Sequence, residues 1–346
     1  MNIAGRPIGP GHPCYIIAEI SANHNQSYDE AEKLVRLAKD VGADAVKIQT
    51  YTADTITLDC DDEPFQVKGG TLWDGTTLHK LYQEAYTPWE WQPKLKAVAD
   101  SIGIPLFSSP FDPTAVDFLE DMAVPAYKIA SFELVDIPLI EKCARTGKPM
   151  IMSTGMATWA EIDDAVRAAR GAGCADLALL HCNSGYPAPP SEMNLRTIPV
   201  LGSAFQVPAG LSDHTLGHTA AVAAVALGAC ILEKHFTSDR SHPGPDSAFS
   251  LEPAEFKALV DAVRECEAAL GGVRQNRTAK EESSKVFRRS LFVVEDIPAG
   301  EPFSEHNLRS IRPAHGLATK FQKDVLGKRA SRDIKRGTPL SWDLVQ

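Results

Sequence analysis

Short apolar segments recur along the first three quarters of the chain, and each is followed by a stretch of helical periodicity. The segments are rich in Ile, Leu and Val and are continuously apolar, which is typical of parallel strands buried on both faces. Eight such repeats within about 270 residues favour a (β/α)8 TIM barrel over a doubly wound sheet, which usually has about six strands. The eight segments are 14–20, 44–50, 104–109, 126–131, 149–154, 177–182, 207–213 and 230–236.

Several intervening segments carry local helix signals. The segment 28–42 has one apolar face, and Gly42 is expected to end that helix. Thr158 is followed three residues later by Glu161, a capping-box sequence that predicts the start of another helix. The insertion after the second predicted strand, 51–87, is longer than an ordinary barrel loop, and we expect it to cover the barrel mouth.

The character of the sequence changes after the eighth repeat. Residues 273–288 are polar and charged, which predicts a linker between a barrel domain at 1–272 and a second domain at 289–346. DIPAGEPFS at 296–304 is echoed by DIKRGTPLS at 333–341, so the second domain is expected to be small, β-rich and pseudo-symmetric. Because so small a domain has little core, we expect it to dock on the barrel or on a second subunit.

Composition narrows the classes of partner. The chain is 44% hydrophobic and 23% charged, as in ordinary globular proteins, and its net charge is −10 without a large basic cluster. This argues against a nucleic-acid partner. The apolar runs are too short to span a bilayer and the N-terminus lacks a signal pattern, so no membrane partner is expected. Seven scattered cysteines without a Cys-x-x-Cys pair indicate reduced thiols and a cytoplasmic location.

Polar and reactive side chains follow nearly every predicted strand, where barrel enzymes build their active sites. A lysine within an apolar strand must be paired or must meet a ligand, because an isolated buried charge is too costly. Ion pairs with Glu19 or Glu133 are one explanation, and several cations beside hydroxyls favour an anionic substrate. The strand-end candidates are Glu19, Lys47, Gln49, Ser108, Ser109, Lys128, Ser131, Glu133, Ser153, His181, Ser184, Tyr186, Ser212, Asp213, His214, Lys234 and His235.

Two histidines end the seventh and eighth predicted strands, which are neighbours in a closed barrel. His214 and His235, with Asp246 in the following loop, could hold one divalent ion with positions open for substrate. They could equally bond backbone carbonyls, since the pattern lacks the tight spacing of a zinc-binding motif. Spacing alone leaves both possibilities open.

Three other residues near the strand ends are interpreted as structural and not as part of the active site. Asp213 and Glu233 are interpreted as members of salt bridges at the barrel rim, and Cys182 as a core residue. The sequence contains no nucleophile elbow, no P-loop and no glycine-rich dinucleotide motif after a strand.

A set of segments occurs in one order along the barrel region: IAEISANHNQ (17–26), VKIQTY (46–51), YKIASFE (127–133), STGMA (153–157), HCNSGYPAP (181–189), GLSDHTLG (210–217) and EKHFT (233–237). Together they resemble the sialic acid synthase family, whose members condense phosphoenolpyruvate with an N-acylated aldose. The tail, from RRSLF through SIRPAHGL to DVLGKRASRDI, is similar to the antifreeze-like (SAF) domain that closes these enzymes. The resemblance covers essentially the whole chain and implies a TIM barrel followed by a SAF domain.

Segments 69–91, 107–112 and 244–253 resemble the pseudaminic acid synthase branch of that family. Ordinary N-acetylneuraminate synthases lack the Leu-Trp-Asp-Gly-x-x-Leu segment in this form. The implied sugar is 2,4-diacetamido-2,4,6-trideoxy-L-altrose, with N-acetylneuraminate or legionaminic acid synthesis as alternatives. A barrel that binds an anionic sugar without catalysis, and an aldolase that forms a Schiff base on Lys128, are the rival hypotheses.

The resemblance also implies residue roles. His214 and His235 match ligands of a divalent ion (Mn²⁺ or Mg²⁺, or Co²⁺) that would polarise the sugar aldehyde. The resemblance implies that Glu19, Glu133 and Asp246 are catalytic carboxylates, but it does not assign a separate role to each. The residues implied to hold phosphoenolpyruvate are Lys47, Gln49, Ser109, Lys128, Ser131, Ser153, Ser184 and Ser212, and those implied to contact the sugar are Tyr186, Asp246 and Arg312.

Two expectations concern the edges of this site. Arg312 lies far along the chain from the barrel, and its family counterpart reaches into the barrel of the other subunit. A domain-swapped homodimer is therefore expected. The insertion could supply an apolar surface for a deoxy sugar, or its aromatic residues could form its own small core. The residues concerned are Leu72, Trp73, Leu78, Tyr82 and Trp89.

Overall fold

The structure is a computed structural model of the chain and describes residues 1–273 and 276–346. Residues 274 and 275 of the predicted linker lie outside the described residues. The chain divides into two units, Met1–Gly271 and Gly272–Gln346. No helix of the described ranges has both the length and the apolar character needed to cross a bilayer.

Eight parallel strands close into a barrel in the first unit. Each strand pairs with its neighbours in sequence, and the eighth pairs with the first. All eight apolar segments contain a strand, so the predicted TIM barrel is confirmed. The strands are Tyr15–Glu19 (β1), Ala45–Thr50 (β2), Leu106–Pro110 (β3), Tyr127–Ile129 (β4), Met150–Ser153 (β5), Leu177–Cys182 (β6), Ala209–Asp213 (β7) and Ile231–His235 (β8).

Helices follow the strands, and a two-stranded ribbon, Asn2–Ile3 with Arg6–Pro7, precedes the barrel. The α-helices of the first unit are Tyr28–Asp40 (α1), Ala53–Ile56 (α2), Leu78–Ala85 (α3), Gln92–Ile102 (α4), Pro113–Asp121 (α5), Ile137–Arg145 (α6), Trp159–Gly171 (α7), Thr197–Phe205 (α8), Thr219–Ala226 (α9) and Pro253–Leu270 (α10). Single 3₁₀ turns occur at Glu63–Phe65, Trp89–Trp91, Ser131–Val135, Pro190–Glu192 and Ser247–Phe249.

Local sequence explains where helices α1 and α7 begin and end. The side chain of Ser27 caps the first turn of α1, and the helix stops before Gly42, whose φ of +88° favours glycine. Thr158 accepts a hydrogen bond from the backbone N–H of Glu161, whose carboxylate accepts one from the backbone N–H of Thr158. The predicted capping box is thus confirmed.

The 51–87 insertion contains a small hairpin between α2 and α3. Gln66 and Thr77 pair as a β-bridge, and the backbone N–H of Val67 donates to the carbonyl of Thr76 at 2.9 Å. At the tip, the Asp74 carboxylate accepts hydrogen bonds from the backbone N–H of Gly70 (2.7 Å) and the hydroxyl of Thr71 (2.6 Å). The hairpin, residues 66–77, therefore ends in a turn fixed by its own side chains.

The second unit is a small β-rich fold. It contains Ser290–Val293 (β9) paired antiparallel with Leu308–Ile311 (β10), the helices Ala279–Ser283 (α11) and Gln322–Val325 (α12), and 3₁₀ turns at Ser284–Phe287, Thr319–Phe321 and Trp342–Leu344.

The internal echo of the sequence is also an echo of the structure. Ile297 and Ile334, which occupy equivalent positions, exchange two backbone hydrogen bonds of 2.8 Å. Asp296 accepts from the backbone N–H of Arg336 at 2.8 Å, and Asp333 accepts from that of Ala299 at the same distance. The two halves therefore contact each other through matching groups, as pseudo-symmetry requires.

Candidate active site

Alternation along the strands decides which strand-end residues face the barrel interior. Lys234 and Asp213 lie opposite each other on β8 and β7 and form a buried ion pair of 2.8 Å. The hydroxyl of Ser108 contacts that of Thr50 at 2.6 Å. Because successive side chains of a strand point to opposite faces, these groups are separated from the flanking Ser109, Glu233 and His235. The structure thus removes three candidates from the site: Ser108, Asp213 and Lys234.

Four charged side chains are buried together at the inner end of the site: Glu19, Lys47, Lys128 and Glu233. The ammonium group of Lys47 forms a salt bridge with Glu19 and lies 3.6 Å from Glu233 Oε1. Lys128 Nζ lies 3.5 Å from the same Glu233 oxygen. Each lysine therefore has a carboxylate partner in the protein. The expected pair with Glu19 is present for Lys47, but the partner of Lys128 is Glu233 and not the expected Glu133.

Polar groups on β2, β3 and β7 complete this cluster. Lys47 also donates to the hydroxyl of Ser109 at 3.2 Å. Ser212 donates to Glu233 and Gln49 to Glu19, each at 3.4 Å. The predicted anion-binding residues on these strands are thus brought together with the four charged groups.

Burial and charge set the protonation of the cluster. Burial raises the pKa of Glu19 to about 7, against the attraction of Lys47. Burial also opposes ionisation of Glu233, but Lys128 and Lys47 outweigh it and hold the pKa of Glu233 below its ordinary value. Burial lowers the pKa of Lys128, although Glu233 counteracts it. Glu19 therefore titrates near neutral pH in this cluster.

Glu133 follows β4 and is a second carboxyl that titrates near neutrality. Burial raises its pKa to about 7, and the charges of Lys128 and Lys47 offset only part of that rise. Its Oε2 atom is buried and has no hydrogen-bond partner among the described residues. An unpaired buried oxygen of this kind is costly unless it is protonated or meets a ligand.

Serine hydroxyls line the space around Gly155. An added Cβ at this glycine would lie 2.3 Å from the hydroxyl of Ser184 and 2.7 Å from that of Ser131, so a side chain there would fill the space between them. The Ser131 hydroxyl accepts from the backbone N–H of Gly155 at 3.2 Å. The Ser153 hydroxyl is buried without a partner in the described parts of the chain. The structure thus brings Ser131 and Ser184 together around a polar space.

His214 and His235 lie side by side with ring centroids 5.4 Å apart. Nδ1 of His214 donates to the carbonyl of Asn183 at 2.8 Å. Nδ1 of His235 lies 3.2 Å from the hydroxyl of Ser21, which in turn donates to Asp246. Within residues 1–273 and 276–346, no hydrogen bond involves either Nε2 atom.

This arrangement suits a metal ion. Histidines that bind metals usually have one ring nitrogen held by a protein acceptor, which leaves the other free as a ligand. His214 does bond a backbone carbonyl, but it does so through Nδ1 alone. The described residues contain no cluster of three or more His, Cys, Asp or Glu side chains that could hold a metal. The two free Nε2 atoms therefore fit an ion as a pair of protein ligands, and the described His, Cys, Asp and Glu side chains add no third.

Aromatic rings border the histidines. The ring of Tyr186 lies 4.3 Å from that of His214, and the ring of Phe249 lies 4.9 Å from that of His235. Trp73, at the tip of the 66–77 hairpin, lies 5.6 Å from Tyr186. Tyr186 is thus placed beside the histidines.

Two residues that were interpreted as structural also contact this group. Glu233 forms salt bridges, as predicted, and its partners are the two buried lysines, Lys47 and Lys128; its position two residues before His235 on one strand was the available signal. Cys182 is buried, but its sulfur faces the site, 3.9 Å from His214 Nδ1 and 4.0 Å from the Ser184 hydroxyl. The prediction that Cys182 is buried is therefore confirmed, and its sulfur also contacts two residues of the site.

Two further candidates make other contacts or none. His181 lies on β6 and donates through Nε2 to the carbonyl of Met193. Arg312 belongs to the second unit and is exposed, and no hydrogen bond or ion pair in the described ranges involves its guanidinium.

Comparison with known proteins gives consistent matches along the chain. Residues 34–275 match the NeuB family and residues 288–346 match the SAF domain. Pseudaminic acid synthase of Helicobacter pylori is 45% identical over 96% of this chain and 98% of its own length. That of Campylobacter jejuni serotype O:2 is 48% identical over 94% and 95%. The N,N'-diacetyllegionaminic acid synthase of Legionella pneumophila is 36% identical over 99% and 97%.

Solved structures match as well. The N-acetylneuraminic acid synthetase of Leptospira borgpetersenii, in complex with citrate, has a TM-score of 0.73 and 31% identity over 82% of this chain and 94% of its own. The spore coat polysaccharide biosynthesis protein SpsE of Bacillus subtilis has a TM-score of 0.68 and 35% identity over 100% and 99%.

Replacing Glu133 by Gln removes a carboxyl that is protonated in the folded protein at mildly acidic pH. Between pH 4.5 and 7 the folded chain holds a proton that the unfolded chain has released, so the free energy of unfolding of the wild type falls relative to that of Glu133→Gln as pH rises. Above pH 7 the difference is constant. Urea unfolding from pH 5 to 8 measures this difference in the free energy of unfolding, and Glu265→Gln, at an exposed position, is the control. If the difference between the wild type and Glu133→Gln does not change with pH, Glu133 is not a buried carboxyl that is protonated in the folded protein.

Proposed function

The chain belongs to the NeuB family, and from this premise we propose that it acts as a pseudaminic acid synthase. It condenses phosphoenolpyruvate with 2,4-diacetamido-2,4,6-trideoxy-L-altrose to give a nine-carbon 2-keto sugar acid and phosphate. The observation that carries this proposal is the meeting of two buried lysines, a group of serine hydroxyls and two histidines with free Nε2 atoms at one barrel mouth.

The lysines and serines form the binding site for phosphoenolpyruvate. Lys47 and Lys128 supply positive charge where water is excluded, so an anion interacts with them more strongly than it would at the surface. The serine hydroxyls can donate to phosphate or carboxylate oxygens. The members of this hydroxyl group are Ser109, Ser131, Ser153, Ser184 and Ser212.

His214 and His235 would hold the divalent ion. When bound, an ion such as Mn²⁺, Mg²⁺ or Co²⁺ supplies Lewis-acid polarisation of the sugar aldehyde. Asn183 and Ser21 fix the two imidazole rings so that both Nε2 atoms remain available. Asp246 holds the Ser21 hydroxyl and, as a half-buried carboxylate, can also accept hydrogen bonds from sugar hydroxyls.

The reaction forms one C–C bond and one C–O bond and breaks one C–O bond. C3 of phosphoenolpyruvate bonds to the aldehyde carbon, whose oxygen takes up a proton to become a hydroxyl. The cationic C2 that results is captured by water, which loses a proton. The tetrahedral intermediate then releases phosphate by cleavage of the C2–O bond to phosphorus, while its new hydroxyl gives up a proton, which the phosphate can take, and becomes the ketone oxygen. Glu19 and Glu133 suit these proton transfers, since burial places both pKa values at about 7.

Relatives favour this sugar over its alternatives. Pseudaminic acid synthases are 45% and 48% identical to this chain, against 36% and 38% for two legionaminic acid synthases and 34% for a mouse N-acetylneuraminate-9-phosphate synthase.

A cytoplasmic location agrees with the free state of the cysteines.

A domain-swapped homodimer would bring Arg312 of one subunit to the barrel mouth of the other. Exposed apolar side chains follow β4, β5 and β7, a surface that a second subunit could cover. The charges of the two units are opposite, with 20 basic and 36 acidic residues in the first and 15 and 9 in the second, so the two units attract each other electrostatically. The exposed side chains are Phe132, Val135, Met156, Trp159 and Leu216.

Parallel assays of phosphate release test the proposed reaction. With phosphoenolpyruvate, the enzyme is expected to turn over 2,4-diacetamido-2,4,6-trideoxy-L-altrose in preference to N-acetylmannosamine. EDTA should abolish the release, and added Mn²⁺ or Mg²⁺ should restore it. The bridging oxygen of labelled phosphoenolpyruvate should leave with the phosphate, as C–O cleavage requires.

Three results would contradict parts of this proposal. Absence of phosphate release with every acylated hexosamine contradicts the reaction, and a preference for N-acetylmannosamine contradicts the sugar. Borohydride trapping of pyruvate on Lys128 would show the aldolase instead, an alternative that the lowered pKa of Lys128 makes worth testing.

Mixing two inactive variants tests the swapped dimer. Arg312→Ala removes the arginine and Lys128→Ala removes the barrel cation, so each homodimer should be impaired. After subunit exchange, some heterodimers pair an intact barrel with an intact arginine, and part of the activity should return. If exchanged mixtures stay inactive while both variants are folded and dimeric, Arg312 does not act across the subunit interface.

A further inference from the structure

The hairpin at residues 66–77 places the indole of Trp73 next to Tyr186 and Phe249, the aromatic rings beside the histidines. Trp73 lies at the tip, in the turn that Asp74 fixes through Gly70 and Thr71. Its Nε1–H donates to the carbonyl of Pro245 at 2.8 Å, in the loop that carries Asp246. The indole is thus held from both sides, by its own hairpin and by the loop after β8.

Trp73 is part of a continuous aromatic wall, which we define as Trp73, Tyr186 and Phe249. Its ring lies 5.6 Å from Tyr186 and 6.5 Å from Phe249, and these two lie 5.1 Å apart. Tyr186 contacts His214 and Phe249 contacts His235. Trp73 therefore stands one ring further from the histidines than Tyr186 does.

Other aromatic residues of the insertion pack elsewhere. The ring of Trp89 lies 4.7 Å from that of Phe118, and its Nε1–H donates to the carbonyl of Tyr51 at 3.0 Å. Tyr82 packs on Tyr51 at 5.6 Å. Tyr82 therefore packs within the insertion, and Trp89, just after it, packs against helix α5. Trp73 instead contacts the aromatic neighbours of the two histidines.

The length of the sugar bears on this position. Six carbons joined by bonds of about 1.5 Å span roughly 6 Å when extended. The ring of Tyr186 lies 4.3 Å from that of His214 and 5.6 Å from that of Trp73. A sugar whose aldehyde carbon lay beside the histidines and whose chain passed Tyr186 would therefore point its far end towards the indole. In the sugar proposed above, that end carries a methyl group at C6.

We propose that Trp73 is a specificity-determining residue whose indole face contacts the C6 methyl end of the sugar. This inference rests on the proposed function. The indole N–H is already used by Pro245, so the exposed ring surface offers no hydrogen bond to a hydroxyl at C6. A methyl group can be buried there freely, whereas a hydroxyl would lose its water without gaining a partner.

The test compares two sugars that differ only at C6: 2,4-diacetamido-2,4,6-trideoxy-L-altrose and its 6-hydroxy counterpart. We expect the wild type to favour the deoxy sugar about 10-fold or more in kcat/KM, the range an apolar pocket achieves. In Trp73→Ala this ratio should fall towards 1, mainly through loss on the deoxy sugar, while the KM for phosphoenolpyruvate changes less than about twofold. Trp73→Phe should keep most of the preference.

Leu72→Ala is the matched control, because Leu72 lies on the same turn but is 53% exposed. Its ratio should equal that of the wild type. Should Trp73→Ala fail to fold, Trp73→Gln is expected to lower the ratio in the same direction. An unchanged ratio in an active Trp73 variant, or an equal loss on both sugars, overturns this inference alone. A wild type that releases no phosphate with either sugar overturns the proposed function and this inference with it.

Discussion

The buried group of Glu19, Lys47, Lys128 and Glu233 is the constraint on which the rest of the site depends. A lone charge at this depth would be too costly, so each cation needs an anion at all times. In the absence of a ligand the two glutamates serve as those anions. The four residues come from β1, β2, β4 and β8, and they meet because β8 pairs with β1 to close the barrel. Closing the barrel therefore also brings together the charged residues that are proposed to bind the anion.

The loops after β1 and β8 add the second half of the site. Asn23 donates to the carbonyl of Phe236 at 2.9 Å and to the hydroxyl of Ser250 at 2.8 Å, which ties the two loops together. Ser21, in the first loop, joins His235 to Asp246. The strands thus fix the charged end of the site, while the loops fix the histidines and the aromatic wall. This division suits a family in which the same anion meets different sugars.

Local patterns were sufficient to predict the barrel and the residues on its strand ends, because burial on both faces leaves an apolar run in the sequence and helix caps leave a spacing. What local patterns could not provide was the pairing of Glu233 with Lys128, which depends on strands brought together by closure. The position of Trp73 depends on a hairpin whose sequence has no regular pattern of apolar and polar residues that would predict it. Arg312 was identified as a candidate only through the resemblance to the family. His214 and His235, the proposed metal ligands, are an intermediate case. Their spacing allowed the prediction without deciding it, and the hydrogen bonds of their Nδ1 atoms in the structure are compatible with it.

The central claim is that the inward-facing buried lysines bind phosphoenolpyruvate, and its dissociation constant measured by calorimetry tests this most directly. Replacing Lys128 by Met removes one charged hydrogen bond and should raise the dissociation constant about tenfold or more. The double variant Lys234→Met with Asp213→Asn neutralises the buried pair on the other face of the strands and should change it less than about twofold. A Lys128→Met protein that is folded and binds phosphoenolpyruvate as tightly as the wild type would contradict the account.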